Sequence, residues 1–242
     1  MTDHPLGVLA VLAHPDDEAF RLGGTLALLA QAGACVQVLS STRGEAGSCG
    51  KPPLCTREGL PALRESELRC SCRALGIEPP RFMGYGDGHL ADVDQDQGVE
   101  RVLAVIDELQ PQVLITWPPD GLSGHPDHMA VSRWTQSAYA QTVAWQPAPW
   151  ALYYLAVPLS VAVPLGLNQL RTVPDEQVDV AVDVQSVWEQ KLAAIRCHRT
   201  QLGESPILAA PLERQQLFLG TEHFRRVGAR QETDLVTVLA EG

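Results

Sequence analysis

The sequence lacks several features that would assign it to common protein classes. Its 242 residues include 18 lysines and arginines against 29 aspartates and glutamates, for a formal net charge of −11. Because such an excess of negative charge repels phosphate backbones and anionic lipid headgroups, we expect no nucleic-acid or membrane partner. Aromatic residues make up only 5% of the chain, but 45% of it is hydrophobic, which is enough for a globular core.

No uninterrupted apolar run reaches the roughly 20 residues that a membrane-spanning helix needs. The stretch Ala151–Leu167 is almost wholly apolar, but Pro158, Pro164 and Gly166 interrupt it. We predict a buried strand followed by an apolar loop, and this stretch is where a homo-oligomer would associate. The apolar run Leu6–Ala13 has no basic segment before it, unlike a secretory signal, so we expect a cytoplasmic protein.

Among the six cysteines there is no C-x-x-C pair, which excludes a zinc knuckle or a thioredoxin-like redox motif. Cys49 and Cys55 flank a loop that contains glycine and proline, and they are the pair for which we considered a bridge. A cytoplasmic location makes reduced thiols the expected state.

The first predicted strand is not followed by the G-x-G-x-x-G loop of dinucleotide-binding proteins. The residues there are His14-Pro15-Asp16-Asp17-Glu18, whose carboxylates would repel a pyrophosphate. A dinucleotide cofactor is therefore excluded at this position.

Strands and helices alternate along most of the chain. Apolar runs predict strands at Gly7–Ala13, Cys35–Ser41, Arg81–Tyr85, Gln112–Trp117 and Trp150–Val157. Helical spacing predicts helices at Glu18–Ala32, Leu60–Leu75, Val99–Leu109 and Met129–Thr142. This alternation predicts an α/β, Rossmann-like domain in which helices flank a mainly parallel sheet.

The carboxyl-terminal part of the chain is less regular. Its predicted elements are strands at Gln177–Val182 and Glu222–Ala229 and a helix at Gln185–Arg199. We predict a single domain over residues 1–242, with a core at about 6–143 and a small α+β extension at about 144–242.

Two clusters of histidine and aspartate follow predicted strands. His14 and Asp17, with two residues between them, come after the first strand, and Gly124-His125-Pro126-Asp127-His128 follows the strand at Gln112–Trp117. Because neighbouring parallel strands end at the same edge of a sheet, we expect the two clusters to face one pocket. Two histidines and one carboxylate form the ligand set of a catalytic zinc site, although Fe²⁺ or Mn²⁺ would also fit. Spacing alone leaves open which of Asp16 and Asp17 is the ligand.

These motifs resemble those of a known family. The segments A-H-P-D-D-E at Ala13–Glu18 and G-H-P-D-H at Gly124–His128 are similar to the signature of the PIG-L/LmbE-like zinc-dependent de-N-acetylases, which act on N-acetylglucosamine conjugates. Further similarity lies in Thr42-Arg43-Gly44-Glu45, Arg64-Glu65, Leu75-Gly76, Tyr85-Gly86-Asp87-Gly88, Lys191 and His198-Arg199-Thr200-Gln201.

The resemblance implies a role for each matching residue. His14, Asp17 and His128 would hold the metal, and Asp16 would be the general base that activates a water molecule. A protonated His125 would face the oxyanion that forms from the acetamide carbonyl. Polar residues that would contact the sugar are Glu45, Arg64 and Asp87.

Other candidates have a simpler structural interpretation. The tryptophans Trp117, Trp145 and Trp150 are expected to pack in the core rather than stack on a sugar. The acids Asp120, Asp127 and Asp183 could orient a ligand histidine, but we expect them on the solvated surface. Some family members have a tyrosine that assists the oxyanion where this chain has Ser123, so either His125 acts alone or another hydroxyl, from the carboxyl-terminal region, takes that part.

The sequence therefore predicts a metal-dependent hydrolase that removes acetyl from a small, soluble N-acetylglucosamine-type conjugate, such as a precursor of a low-molecular-weight thiol. One alternative is a phosphoesterase with two metal ions about 3.5–4 Å apart. Another is a protein that binds sugar or metal without catalysis. Asp16 favours an enzyme, since metal binding does not require it.

Overall fold

The computed structural model describes residues 5–142, 145, 149, 151–205 and 207–229. In this part of the chain, seven strands form one sheet in the order β3-β2-β1-β4-β5-β7-β6. The strands are β1 Gly7–Leu12, β2 Cys35–Ser40, β3 Arg81–Phe82, β4 Val113–Thr116, β5 Ala151–Ala156, β6 Val180–Asp183 and β7 Thr221–Ala229. Strands β1 to β5 are parallel, whereas β7 is antiparallel to both β5 and β6. The predicted α/β fold with a mainly parallel sheet is confirmed, and the strands of the extension continue the same sheet.

Helices flank this sheet. They are α1 Asp17–Arg21, α2 Gly23–Gln31, α3 Leu60–Leu75, α4 Gln95–Leu109, α5 Gly121–Gly124, α6 Pro126–Gln141, α7 Leu159–Leu165, α8 Trp188–Cys197 and α9 Leu212–Leu219. Short 3₁₀ helices lie at Leu90–Asp92, Asp175–Gln177, Gln185–Val187 and Leu202–Glu204.

The predicted helix Glu18–Ala32 is divided into α1 and α2. The break is at Leu22, whose φ of −140° is not helical. The amino terminus of α2, which this break creates, is fixed by Glu222 of β7. The Glu222 carboxylate accepts hydrogen bonds from Gly24 N at 2.9 Å and Thr25 N at 2.7 Å. A contact from a strand 197 residues away cannot be read from local spacing.

The apolar segment after β5 forms a helix, not the predicted loop. Pro158 precedes α7, Pro164 lies near its end, and Gly166 stops it with a φ of +68°. Prolines at these positions cost few backbone hydrogen bonds in so short a helix. Burial of Val161 and Leu165 against the core provides the stabilisation that the sequence pattern did not reveal.

Burial also limits where the chain can self-associate. β5 is buried along its whole length, so the exposed large apolar side chains of the stretch Ala151–Leu167 are Leu159 and Val163 of α7. Self-association through this stretch would depend on these two residues. No helix in the described part of the chain has the length and apolar character of a membrane span.

The expectation that every thiol is reduced is wrong for one pair. Cys70 of α3 and Cys197 of α8 form a disulfide across 127 residues, with Cα atoms 5.7 Å apart. Cys49 and Cys55, the pair considered for a bridge, are free thiols, as are Cys35 and Cys72. Cysteine spacing in the sequence points only to near neighbours such as Cys49 and Cys55, whereas the packing of α3 on α8 brings distant cysteines together.

The topology places both motif-bearing turns at one crevice. β1 and β4 are neighbours, but the chain leaves β1 toward β2 and leaves β4 toward β5, on the opposite side. In open α/β sheets such a switch point creates a crevice beyond the carboxyl ends of the strands. His14 follows β1, and His125 and His128 follow β4, so all three start from this crevice.

Helix α6, which carries His128, is held against α4 by a close contact. Gly98 lies under the Trp134 ring, and a Cβ at this position would be 2.2 Å from the nearest ring atom. Trp134 is fully buried, so the ring has no space to retreat.

We expect Gly98→Ala to destabilise the protein, although alanine is the better helix former by about 1 kcal/mol. The added methyl overpacks the α4–α6 contact, and the free energy of unfolding should fall by about 1–3 kcal/mol in urea denaturation. Asp107→Ala on the exposed face of α4 is the control, with a change within about 0.5 kcal/mol. A Trp134→Leu background should relieve the effect of Gly98→Ala, and an undiminished effect there would contradict this explanation.

Candidate active site

The turn that follows β1 is stabilised by the carboxylate of one of its own residues, Asp17. Asp17 Oδ2 accepts hydrogen bonds from Ala13 N at 3.0 Å and His14 N at 2.9 Å. The chain can therefore pass from β1 into α1 with the His14 and Asp17 side chains on the same side.

The second turn presents two histidines at the start of α6. His125 is the N-cap residue, and its Nδ1 accepts a hydrogen bond from Asp127 N at 3.2 Å. His128 Nδ1 lies 3.1 Å from Gly121 O, so that nitrogen carries a proton and donates it. Trp117 is buried in the core, as predicted, and its ring also stacks on His128 with ring centres 3.9 Å apart.

The two turns meet. His14 Nδ1 is 3.8 Å from Asp17 Oδ2, and His128 Nε2 is 3.5 Å from Asp17 Oδ1. One atom from each of these residues lies within 4.8 Å of the others, a separation suited to one bound cation. The same holds for a second, overlapping group made of His14, His125 and Asp127.

Asp127 is the largest correction to the site. We expected it on the surface, but it is fully buried beneath His14. Its Oδ2 is 3.2 Å from His14 Nε2 and accepts from Gly88 N at 2.7 Å, while its Oδ1 accepts from Leu90 N at 3.1 Å. Asp120 and Asp183, in contrast, are exposed, as expected, and accept hydrogen bonds from the nearby backbone N–H groups of Leu122 and Gln185.

The partners of His14 determine which ring nitrogen is available to a metal. Asp127 and Asp87 Oδ1, the latter at 3.1 Å, both face Nε2, which leaves Nδ1 toward Asp17. Burial alone would lower the pKa of His14, but the hydrogen bonds to Asp127 and Asp87 outweigh it and raise the pKa to about 10. A carboxylate on the second ring nitrogen is the usual support of a metal-binding histidine.

The donor chemistry fits a divalent cation. His14 and His128 each use one ring nitrogen as a hydrogen-bond donor and turn the other toward Asp17. Burial would raise the pKa of Asp17, but the two histidines hold it well below its usual range, so the carboxylate is ionised. Asp127 is the poorer ligand, because backbone N–H groups and His14 already occupy both of its oxygens.

Asp16 stands beside these groups in a strained conformation. Its φ of +107° is rare for a residue with a side chain. Glu18 Oε2 accepts from Asp16 N at 3.0 Å, and Arg64 donates to Asp16 Oδ2 at 3.0 Å and to the Pro15 carbonyl. Burial raises the pKa of Asp16 to about 6, against the opposing charge of Arg64.

Behind Asp16 lies a buried polar cluster that the sequence analysis missed. Glu18 Oε1 is 2.6 Å from His198 Nε2 and accepts from Ser71 Oγ at 2.5 Å, and all three residues are fully buried. Thr200 donates from its backbone N and its hydroxyl to Glu67. The carboxyl-terminal segment noted for its family similarity therefore braces the turn of Asp16. The signal available in the sequence was the similarity of His198-Arg199-Thr200-Gln201 to the family pattern.

The three predicted sugar-contacting residues have different surroundings. Arg64 is buried, and Cβ atoms on Gly44 or Gly47 would meet its guanidinium at 2.1 and 2.5 Å, so these glycines make room for it. Asp87 lies between His14 and Arg64. Glu45 accepts from Asp87 N at 3.2 Å, so its carboxylate supports Asp87 from behind.

Two adjoining cavities open at this crevice, and Asp16 and Gln201 line both. The inner cavity, of about 260 Å³, is also lined by His14, Arg64, Asp87 and His125. The outer cavity, of about 500 Å³, is also lined by Asp17, Arg21, Lys51 and Trp117. No hydroxyl side chain lines the inner cavity among the described residues, so the expected substitute for the missing tyrosine is not found there. Ser123 is exposed, Trp145 packs at the core, and Trp150 lies outside the described residues.

The sequence matches known proteins over most of its length. The profile of the PIG-L family, described as GlcNAc-PI de-N-acetylase, matches residues 9–139. The chain belongs to the PIG-L family. A relative in Mycobacteroides abscessus, 1D-myo-inositol 2-acetamido-2-deoxy-alpha-D-glucopyranoside deacetylase, is 32% identical, with 81% of each chain covered. A probable N-acetyl-alpha-D-glucosaminyl L-malate deacetylase 2 of Bacillus cereus is 34% identical, over 80% of this chain and 83% of the relative.

Solved structures share the fold at lower identity. The N,N'-diacetylchitobiose deacetylase of Pyrococcus horikoshii has a TM-score of 0.67 and 20% identity, over 92% of this chain and 84% of that one. The 4-carboxy-2-hydroxymuconate hydratase of Pseudomonas putida has a TM-score of 0.69 and 23% identity, over 95% and 99%. Since these two enzymes catalyse different reactions, the PIG-L fold alone does not fix the chemistry.

The buried position of Asp127 gives a test of its support for His14. We expect Asp127→Asn to lower zinc affinity by about 10–100-fold, because the amide is a weaker acceptor for His14 and holds no charge. Affinity would be measured by competition with a fluorescent chelator. Asp183→Asn, an equal loss of charge on an exposed acid, is the matched control. Equal zinc affinity in the Asp127→Asn and wild-type proteins would refute the role of Asp127 in supporting His14 as a metal ligand.

Proposed function

We propose that this PIG-L protein is a zinc-dependent hydrolase that removes the acetyl group from an N-acetylglucosamine-type conjugate. The observation that carries the proposal is the placement of Asp16. It adjoins the candidate ligand Asp17, lines both cavities, and is held by Arg64 rather than by the ligand histidines. A protein that only bound a metal would have no use for a second, strained carboxylate at this position.

The proposed ligands are His14, Asp17 and His128, with Fe²⁺ or Mn²⁺ as other ions that suit such a set. Bound zinc would polarise the acetamide carbonyl and lower the pKa of a water molecule to about 7. Asp16 would accept the proton that a water molecule loses as its oxygen attacks the carbonyl carbon. Asp16 would then return this proton to the nitrogen as the C–N bond breaks, so that acetic acid and a free amine leave. A pKa near 6 suits a group that takes and gives a proton at neutral pH.

His125 is the proposed donor to the oxyanion. Because its Nδ1 accepts from Asp127 N, the neutral ring carries its proton on Nε2. Burial lowers the pKa of His125, and the neighbouring His128 and His14 lower it further. These effects favour a neutral donor, whereas the sequence analysis expected a protonated ring. Whether the His125 ring is neutral or protonated, its preorganised N–H stabilises the negative charge that develops on the oxyanion.

The proposed substrate is a small, water-soluble glycoconjugate. The names of the two relatives above give their substrates as 1D-myo-inositol 2-acetamido-2-deoxy-alpha-D-glucopyranoside and N-acetyl-alpha-D-glucosaminyl L-malate. We propose a corresponding step in the formation of a low-molecular-weight thiol, in the cytoplasm. The sugar would lie in the inner cavity against Arg64 and Asp87, and Glu45 would act through Asp87.

The phosphoesterase alternative depends on the second group of possible ligands. A metal held by His14, His125 and Asp127 beside the first would create a two-metal site. The engaged oxygens of Asp127 argue against it, and the number of bound ions distinguishes the two reactions.

We expect Asp16→Asn to reduce amine release from N-acetylglucosamine conjugates by about 10²–10⁴-fold. The bound zinc should remain near one ion per chain, because Asp16 is not a proposed ligand. Asp17→Asn is the paired variant, and it should lose both zinc and activity. Release of free amine and metal content would be measured on the same preparations. If the Asp16→Asn enzyme kept full activity, the assignment of Asp16 as the base would be wrong. If the wild-type enzyme released no amine from any conjugate, the proposed function would be wrong.

A further inference from the structure

Asp16 and Asp17 are adjacent in the chain, but their carboxylates have different partners. Asp16 Oδ2 accepts a hydrogen bond from Arg64 at 3.0 Å. Asp17 Oδ2 accepts hydrogen bonds from the backbone of Ala13 and His14. The backbone between the two carboxylates includes the φ of +107° at Asp16. Such a conformation persists only where surrounding groups hold it, so the groups that hold Asp16 also determine where the proposed base lies.

We propose that His198 is a positioning residue for Asp16 and that it acts through Glu18. This inference rests on the proposed function, in which Asp16 is the general base. Glu18 Oε2 accepts from Asp16 N at 3.0 Å, and Glu18 Oε1 is 2.6 Å from His198 Nε2. His198 therefore orients the carboxylate that holds the backbone of Asp16. Because His198 is fully buried, it can influence the reaction only through other residues.

The orientation of the Glu18 carboxylate depends on two donors. Glu18 is fully buried, and a buried carboxylate is costly unless its oxygens accept hydrogen bonds. Its Oε1 is paired with Ser71 Oγ at 2.5 Å and with His198 Nε2. The Ser71 hydroxyl hydrogen can rotate, whereas the N–H of an imidazole has a direction that the ring fixes. His198 is therefore the donor that sets the direction of this carboxylate.

Both donors lie next to a covalent link between their helices. The disulfide joins Cys70, which precedes Ser71 in α3, to Cys197, which precedes His198 at the end of α8. The two donors therefore approach Glu18 from helices whose separation is fixed at this level.

The segment that follows His198 is also anchored. Thr200 donates to Glu67 of α3 at 2.8 Å from its backbone N and at 2.6 Å from its hydroxyl. Gln201 donates from Nε2 to Ser48 O at 2.9 Å and accepts at Oε1 from Ser48 N at 3.3 Å. With contacts on both sides of it, His198 is held in place before a substrate binds, as precise positioning of a catalytic group requires.

The second ring nitrogen of His198 makes a matched pair of variants possible. His198 Nδ1 is buried and has no hydrogen-bond partner among the described residues, so the ring bonds to its surroundings through Nε2. A glutamine side chain carries its amide nitrogen about as far from the backbone as Nε2, whereas asparagine carries it only about as far as Nδ1. His198→Gln therefore keeps a donor for Glu18, and His198→Asn removes it.

The test compares these zinc-loaded variants on the N-acetylglucosamine conjugate that the wild-type enzyme cleaves fastest. We expect His198→Asn to lower kcat by about 10–100-fold, because a small displacement of the base costs this much, with KM and zinc content unchanged. His198→Gln should restore most of kcat. The control is Leu192→Ala, which truncates another buried side chain of α8 and should lower the urea midpoint without changing kcat.

Ser71→Ala removes the other donor to Glu18 Oε1, and it tests the same path if His198→Asn does not fold. It should lower kcat at unchanged KM and zinc content, by less than His198→Asn, because His198 stays in place. Wild-type kcat in whichever of the two variants folds would overturn the inference and leave the deacetylase standing. A rise in KM or a loss of zinc together with kcat would show a general structural role, and it would also overturn the inference.

Amide hydrogen exchange at Asp16, measured by NMR on the zinc-free proteins, separates this inference from the proposed function. Because Glu18 holds the Asp16 N–H, its exchange should be about tenfold faster in His198→Asn than in the wild type, and unchanged in His198→Gln. This result without amine release from any conjugate would support the positioning of Asp16 and overturn the proposed reaction. Equal exchange in all three proteins would overturn the inference.

Discussion

The hydrogen bond between His14 and Asp127 is the constraint on which the site depends. It joins two turns 113 residues apart in the chain. Asp127 also binds the backbone of Gly88 and Leu90, so a third loop is fixed by the same carboxylate. Because this bond occupies Nε2 of His14, Nδ1 is the ring nitrogen that faces Asp17 and His128 and is available to a metal ion. A sheet switch point brings the turns near each other, and this contact sets their relative orientation.

A second layer of buried polar groups supports the first. Glu18, immediately after the candidate ligand Asp17, binds Asp16 N on one oxygen and His198 and Ser71 on the other. Both His198 and Ser71 are next to a cysteine of the Cys70–Cys197 disulfide, which fixes α3 to α8 behind the site. The strained backbone of Asp16 is therefore held by groups from distant parts of the chain, as strain at functional sites generally requires.

Local patterns in the sequence were sufficient for the sheet core and for the convergence of the two turns. The strand and helix periods predicted β1, β2, α3 and β4 to within a residue or two at each end, because apolar spacing reports burial directly. The predictions that failed depend on distant contacts. Glu222 breaks the first helix, α7 forms because the core buries one of its faces, and the disulfide joins cysteines on separate helices.

Within the site, too, features set by local sequence could be predicted and features set by distant contacts could not. The histidines and acids that follow β1 and β4 could be named from the sequence, since their types and spacing are typical of metal ligands. The burial of Asp127 could not be predicted, because an aspartate at the start of a helix is normally solvated. The paired loops at Ser48 and Gln201 were also hidden, since a side chain that pairs with a backbone leaves no periodic signal.

The most direct test of the central claim is anomalous diffraction at the zinc edge from crystals of the zinc-loaded protein. The account predicts one ion per chain, about 2.0–2.2 Å from His14 Nδ1, an Asp17 oxygen and His128 Nε2, with Asp127 still bonded to His14 Nε2. Two ions about 3.5–4 Å apart would contradict it, as would a single ion bound by Asp127 and His125.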